Sequence, residues 1–157
     1  HFVGLEKQFY PLLDPAELRL RVWPSDLDLN LHMNNGRYLT VMDLGRLDLT
    51  FRCGLGRLLL RRRWRPVVGA AKIRFRRSLD PFEGYTLETR LVAWDAKWLY
   101  LGQRFLKGDG ELAAEAHVRA LFLGPRGPVP PGEILDAMGL DQPSPELPEV
   151  LAEWRQA

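Results

Sequence analysis

The alternation of hydrophobic and polar residues along the chain predicts one strand, one long helix and four further strands. Apolar residues alternate with polar ones over 18–24, which predicts a strand with one buried face. From Asn34 to about Leu55 the spacing of apolar residues becomes that of a helix. Strand-like alternation then returns in four segments separated by short turns. These segments are 66–77, 85–94, 98–107 and 111–123.

The predicted helix carries two apolar stripes. A surface helix needs only one such stripe, so we expect this helix to be buried on most sides. Asp43 and Arg46 are three residues apart and are expected to pair along the helix. Gly54 and Gly56 are expected to end it. The first stripe is Tyr38, Val41, Met42, Gly45, Leu49 and Cys53, and the second is Leu44, Leu47, Phe51 and Leu55.

The order of these elements predicts an α+β fold in which an antiparallel sheet wraps around one long helix. Short turns between the last four strands favour a meander. Small residues over 69–71 would let the sheet come close to the helix. We expect three regions: an N-terminal arm (1–17), the sheet-and-helix domain (18–123) and a C-terminal extension (124–157). Short helices are predicted in that extension over 133–138 and 147–155.

Composition narrows the class of protein. The chain is 46% hydrophobic, which is enough for one buried core, and its net charge is +2. The single cysteine, Cys53, excludes an internal disulfide and fits a reducing compartment such as the cytoplasm. No Cys/His spacing resembles a zinc site, and no apolar run approaches the roughly 18 residues that span a bilayer. Because the chain begins with His, removal of a leader stays open.

Basic residues cluster over 61–65, around Trp64. A basic run that contains an aromatic residue is typical of contacts with nucleic acid or with a phosphate-bearing ligand. A solvated connection between two elements has the same composition. Because no folded nucleic-acid-binding motif accompanies the run, we expect no nucleic-acid partner.

The densest group of polar side chains precedes the helix. Asp26, Asp28, His32, Asn34 and Asn35 lie within ten residues. Each alone fits a turn or cap; Asp26 is expected to bond the loop backbone, and either Asn fits the N-cap. One helix start needs only one cap, however, and its free N–H groups can hold an anion. The cluster as a unit therefore indicates a functional site.

The same stretch resembles the signature of an enzyme family. Asp26-x-Asp28-x-x-x-His32-Met33-Asn34-Asn35-x-x-Tyr38 is similar to the D-x-D-x-x-G-H-x-N-N-x-x-Y pattern of hotdog-fold acyl-CoA thioesterases of the 4-hydroxybenzoyl-CoA type. Residues 42–46 are similar to that family's helix pattern F-E-x-A-R, and residues 74–79 to its second-strand pattern. The run over 26–39 especially resembles the thioesterase-superfamily-member-six branch. The resemblance covers about residues 18–123.

This resemblance implies a hotdog fold and homodimers, or dimers of dimers, with active sites at the subunit interface. It implies hydrolysis of an acyl-CoA or related thioester to a free acid and CoA, without cofactor or metal. Asp28 then corresponds to the catalytic carboxylate, as nucleophile or as general base. Asn35 supplies the backbone N–H that polarises the thioester carbonyl.

The resemblance also implies a set of substrate-binding residues. His32 is expected to position the substrate, Tyr38 to pack beside the site, and arginines outside the acyl pocket to bind the CoA phosphates. The set is His32, Asn34, Tyr38, Arg74, Arg76 and Arg77.

The sequence departs from the family pattern at two positions. Leu31 stands where the family has Gly, which restricts the backbone there, and Trp98 stands near the family's usual Ser. Two other functions therefore stay open. One is an acyl- or CoA-binding protein without turnover, and the other is a hotdog dehydratase that uses His32.

Overall fold

One long helix lies against a six-stranded antiparallel sheet in residues 12–155, the part of the chain that the computed structural model describes. The predicted α+β class, with the sheet wrapped around the helix, is confirmed. The strands are β1 (Ala16–Arg21), β2 (Arg65–Phe75), β3 (Gly84–Trp94), β4 (Leu99–Lys107), β5 (Leu112–Gly124) and β6 (Gly127–Val129). The helices are α1 (Asn35–Arg52), α2 (Gly56–Arg62), α3 (Pro131–Ala137) and α4 (Ala152–Arg155), with 3₁₀ turns at Pro24–Asp26 and Glu149–Leu151. Most of the predicted N-terminal arm lies outside the described residues.

The strand order is β1-β3-β4-β5-β2, with β6 paired to β5. β3, β4 and β5 form a meander, but β2 pairs with β5 and not with β3, so the predicted four-strand meander is wrong. The reason is that β1 occupies the side of β3 where β2 would lie, with Leu18 opposite Leu87. The connection over 76–83 therefore crosses to the other edge of the sheet, and its Leu79 is fully buried in the core.

α1 buries one apolar stripe and exposes the other. The first predicted stripe is confirmed, since its members from Tyr38 to Leu49 are buried and Cys53 is partly buried. The expectation of burial on most sides is wrong for the single chain. Within residues 12–155, most of its second stripe lies at the surface: Leu44, Leu47 and Phe51 are 48%, 45% and 53% exposed.

A glycine of the helix, and not one of the sheet, permits the closest approach of α1 to the sheet. A Cβ on Gly45 would lie 2.6 Å from side-chain atoms of Leu87 and Thr89. Gly69 of β2 instead approaches Trp98, where a Cβ would lie 2.6 Å from the indole ring, so the expected role of Gly69 is wrong. A register shift between Val68 and Ala70 marks a bulge there.

The basic run over 61–65 starts in the last turn of a second helix that the sequence did not predict and ends at the first residue of β2. α1 ends at Arg52, and Gly54 adopts a left-handed φ of 88°, as expected of a residue that ends a helix. Gly56 begins α2 and does not end α1. Trp64 is buried beside Leu59, so the aromatic residue of the run is part of the core.

The C-terminal segment packs on both faces of the sheet. Ile134 of α3 joins the apolar cluster around Trp64 and Phe122, while Leu151 and Trp154 cover Tyr100 in a separate cluster. The two predicted short helices of this segment are confirmed. Among the helices in residues 12–155, none has the length and apolar character needed to cross a membrane.

Candidate functional site

The polar loop before α1 folds back on itself as a short antiparallel ladder. Leu27 and Met33 form an isolated bridge. On one side of it the Asn34 N–H donates to the Asp26 carbonyl at 2.7 Å. On the other side the Asp28 N–H donates to the His32 carbonyl at 2.9 Å. This ladder holds Asp28 beside the segment that leads directly into α1.

Asp26 stabilises the loop, as predicted. Its side chain is buried, and its Oδ1 lies 2.9 Å from the guanidinium Nε of Arg37 in the first turns of α1. Its Oδ2 accepts the backbone N–H of Trp23 at 2.9 Å. Both carboxylate oxygens therefore have partners within the chain, which leaves this group unsuited to attack a substrate.

Asp28 is held by one oxygen only. Its Oδ1 accepts the backbone N–H of Asn30 at 2.9 Å and that of His32 at 3.2 Å. Its Oδ2 accepts no hydrogen bond from any residue in the described part of the chain, and the side chain is partly exposed. The two loop N–H groups fix the direction of the carboxylate while one oxygen stays accessible.

The backbone of Leu31 is strained in this loop. It adopts a left-handed φ of 59° and its side chain is 64% exposed, so the side chain gains little from packing. A left-handed conformation costs a non-glycine residue about 1–2 kcal/mol. The family pattern has Gly at this position, where the same turn would be free of that cost.

The start of α1 offers a free backbone donor. Asn34 is the N-cap, and its Oδ1 accepts the Gly36 N–H at 2.7 Å, which confirms that Asn34 caps the helix. Asn35 is the first helical residue, and its N–H donates no hydrogen bond to any group in residues 12–155. Such orphan donors carry the positive end of the helix dipole.

Tyr38 lies beneath the site as a core residue. Its ring is 2% exposed and makes edge contacts with Phe75 and Phe105, at centroid distances of 5.0 and 4.8 Å. Burial, together with the nearby charge of Glu83, raises the pKa of Tyr38 to about 12. The phenol therefore stays neutral at physiological pH.

The three predicted arginines do not form one group. Arg74 lies opposite Glu115 on the sheet face away from α1. The N–H groups of Arg76 and Arg77 both donate to the Ala113 carbonyl, and the Arg77 side chain pairs with Glu111 at 2.7 Å. A few residues further on, the Leu79 carbonyl accepts the Met33 N–H at 3.2 Å. Arg76 and Arg77 thus lie on the segment that reaches the Asp28 loop.

His32 and Trp98 occupy different surroundings. The His32 side chain is exposed on the loop. Trp98 packs against the cluster on the sheet face away from α1, with the Arg119 guanidinium 4.3 Å from its ring centroid. In residues 12–155 no group of three or more His, Cys, Asp or Glu side chains is placed to hold a metal ion.

Sequence reasoning missed a buried polar network on α1. It found the Asp43–Arg46 ion pair, which is confirmed, but not the partner in β4. Gln103 is fully buried; it accepts from Arg46 at 2.8 Å and donates to Thr89 and to the Met42 carbonyl. A lone glutamine on the inner face of a predicted strand was the only available signal.

Comparison with known proteins agrees with this architecture. Residues 22–155 match the model of the thioesterase-like superfamily. Protein THEM6 of Danio rerio is 46% identical over 95 residues, which cover 60% of this chain and 47% of that protein. The chain spans about half to two thirds of the length of the first curated relatives that it matches.

Solved structures show the same fold. The probable thioesterase YbaW of Escherichia coli superposes with a TM-score of 0.71 at 21% identity, over 76% of this chain and 93% of that one. Protein SAV2348 of Staphylococcus aureus, solved in complex with CoA, gives a TM-score of 0.72 at 17% identity, over 91% and 95% of the two chains. The predicted hotdog fold is confirmed.

Proposed function

Because the chain belongs to the thioesterase-like superfamily, we propose that it hydrolyses an acyl-CoA or a related thioester to a free acid and CoA, with Asp28 as the catalytic carboxylate. The observation that carries this proposal is the contrast between the two oxygens of Asp28. Oδ1 is fixed by two backbone donors, and Oδ2 has no partner in the described chain. A carboxylate held in this way is oriented without being neutralised.

The start of α1 supplies the second element of the mechanism. When a thioester carbonyl is attacked, negative charge develops on its oxygen, and a donor aimed at that oxygen stabilises the transition state. The Asn35 N–H, which has no partner in the described part of the chain, can do so, and the dipole of the 18-residue helix adds to the effect. Loss of one such donor typically costs about 10²–10³ in rate.

Two routes use the same carboxylate. In one, Asp28 attacks the carbonyl carbon, the C–S bond breaks and CoA leaves as the thiolate; water then hydrolyses the resulting anhydride. In the other, Asp28 takes a proton from water, the hydroxide attacks, and the thiolate leaves in the same way. Both routes consume one water and release an acid and a thiol. His32, on the same loop, would position the substrate.

Basic residues next to the loop fit the phosphates of CoA. Arg76 and Arg77 are exposed on the connection that reaches the Asp28 loop, and an arginine fork matches phosphate geometry. Arg74 lies on the other face of the sheet, so we assign it a weaker contribution. A CoA-bound structure of the same fold supports this class of ligand.

We further propose that the protein acts as a homodimer or a dimer of dimers. β2 is an 11-residue strand at the edge of the sheet, with Val68 and Phe75 each 44% exposed. A long edge strand with exposed apolar residues favours pairing with another strand. Light scattering on the purified protein should give at least twice the mass of one chain, and a monomer at micromolar concentration would contradict this.

A panel of acyl-CoA thioesters tests the reaction. Release of CoA thiol is followed with a thiol-reactive dye, for aliphatic and aromatic acyl groups, at a high enzyme concentration. We expect release well above the enzyme-free rate for at least one acyl group. Binding of the panel without release would instead indicate a binding protein without turnover.

A further inference from the structure

A large apolar cavity lies along the carboxyl half of α1, away from Asp28. Its volume is about 420 Å³, and its walls come from α1, α2, α3 and strands β2–β5. The first residue of α1 that lines it is Asp43, about 12 Å along the helix axis from Asn35. Within one chain this cavity is therefore separate from the site described above.

Two charged groups, Asp43 and Arg46, line this cavity as an ion pair. Arg46 lines it, and its side chain is only 16% exposed. Gln103 fixes the guanidinium from the sheet side at 2.8 Å. The pairing partner Asp43 is 73% exposed, so water can solvate its carboxylate if another anion takes its place on Arg46. Burial lowers the pKa of Arg46, because the cation is poorly hydrated there.

We infer that this cavity binds a long-chain aliphatic carboxylic acid, with the alkyl chain along the apolar walls and the carboxylate on Arg46. An apolar cavity with a few placed polar groups is the usual form of a small-molecule site. The charge complementarity of Arg46 selects an acid over a neutral alcohol of the same length.

The volume of the cavity limits the length of the alkyl chain that it can hold. A cavity of about 150 Å³ holds one benzene molecule. By proportion, this cavity has room for roughly 16 non-hydrogen atoms, the size of a fatty acid of about 14 carbons. Affinity should rise roughly fourfold with each added methylene, and the gain should end near that length.

Cys53 gives a direct probe of occupancy, because it lines the cavity and is the only cysteine of the chain. The rate of its alkylation by iodoacetamide is followed by intact mass, with saturated fatty acids of 6 to about 16 carbons kept below micelle formation. We expect dodecanoate to slow alkylation at least fivefold and hexanoate to have little effect. Unchanged alkylation with every acid would overturn the inference.

A matched pair of variants tests the place of binding. Leu47 and Leu44 are similarly exposed on α1, but only Leu47 lines the cavity. Leu47→Trp should fill the rim and weaken dodecanoate binding at least tenfold in calorimetry, while Leu44→Trp should bind as the wild type does. Equal binding by the two variants would contradict the assignment of this cavity.

Substitutions of Arg46 test whether its guanidinium binds the carboxylate head group. The wild type should prefer dodecanoate to dodecanol, and Arg46→Met should reduce that preference roughly 10- to 100-fold while it keeps the dependence on chain length. Arg46→Lys, which retains the charge, should keep part of the preference. Asp28→Asn should bind dodecanoate normally, so that failure of this site and failure of the proposed hydrolysis are separately visible. An Arg46→Met protein with an unchanged preference would contradict the role of the guanidinium.

Discussion

The two halves of α1 contribute to two different sites. The amino end carries the capped, hydrogen-bonded loop with Asp28, and the Asn35 N–H there has no partner among residues 12–155. The carboxyl half lines an apolar cavity into which a single paired cation reaches. A polar site and an apolar site share this one helix, which a close contact at Gly45 fixes against the sheet.

Two carboxylates in the loop before α1 also differ in their surroundings. Asp26 and Asp28 are two residues apart, yet one carboxylate is buried with a cation and the other has an oxygen without a partner among residues 12–155. Burial and pairing make the first a structural group, while partial exposure leaves the second able to react. The same residue type therefore serves two purposes within one ladder of hydrogen bonds.

The largest expected effect on stability comes from Asp26. Asp26→Ala leaves the Arg37 guanidinium and the Trp23 N–H unpaired, and should lower the free energy of unfolding by about 3 kcal/mol. Asp28→Ala, the matched control, should cost about 1 kcal/mol or less because its contacts are more exposed. Urea titration measures both. Equal losses would erase the distinction between the two carboxylates.

The buried tyrosines at the amino end predict loss of stability in alkali. Burial raises the pKa of Tyr38 and of Tyr85 to about 12, from an ordinary value near 10. Their stabilisation is complete below about pH 10 and is lost as the pH rises through about 12, by up to about 3 kcal/mol per tyrosine. Tyr38→Phe should remove about half of this alkaline slope in the unfolding free energy. A slope identical to that of the wild type would contradict the assignment.

The polar network of Arg46, Gln103 and Thr89 should contribute less to stability than the contacts of Asp26. Gln103→Leu leaves Arg46 and Thr89 without their partner and should cost about 2 kcal/mol of unfolding free energy. Combined with Arg46→Met, it should cost clearly less than the sum of the two single changes, since both partners are then removed. Additive costs in chemical denaturation would show that the two side chains are not coupled.

The smallest expected effect is a gain in stability from a substitution at Leu31. Leu31→Gly removes the strain of a left-handed leucine, although glycine also gains entropy in the unfolded chain, so we expect about 1 kcal/mol of stabilisation. Leu29→Gly, at a more exposed position without positive φ, should give no gain. Thermal unfolding of the two variants measures the difference, and a higher melting temperature for Leu29→Gly alone would refute the account of the loop.

Much of the fold follows from local patterns in the sequence. The buried stripe from Tyr38 to Leu49 has helical spacing, and the cap at Asn34 is a local side-chain bond, so both could be predicted. The position of β2 could not, because it depends on which strands compete for the edges of the sheet. The second helix was hidden by the arginines over 61–63, whose composition also fits a loop.

Some features of the candidate site could likewise be predicted from the sequence, and others could not. The structural role of Asp26 follows from residue type and loop position. The contacts of Gln103 join residues far apart in sequence, and the cavity depends on packing among seven elements; neither leaves a local signal. The exposed side of α1 was misjudged because two apolar stripes predict burial without indicating what covers the second one.

The catalytic role of Asp28 is tested most directly by the turnover of Asp28→Asn on the best thioester of the panel. The variant should have wild-type circular dichroism and thermal unfolding, and its kcat should be lower by about 10²–10⁴-fold. A folded Asp28→Asn protein with a kcat within a few-fold of the wild type would contradict the account.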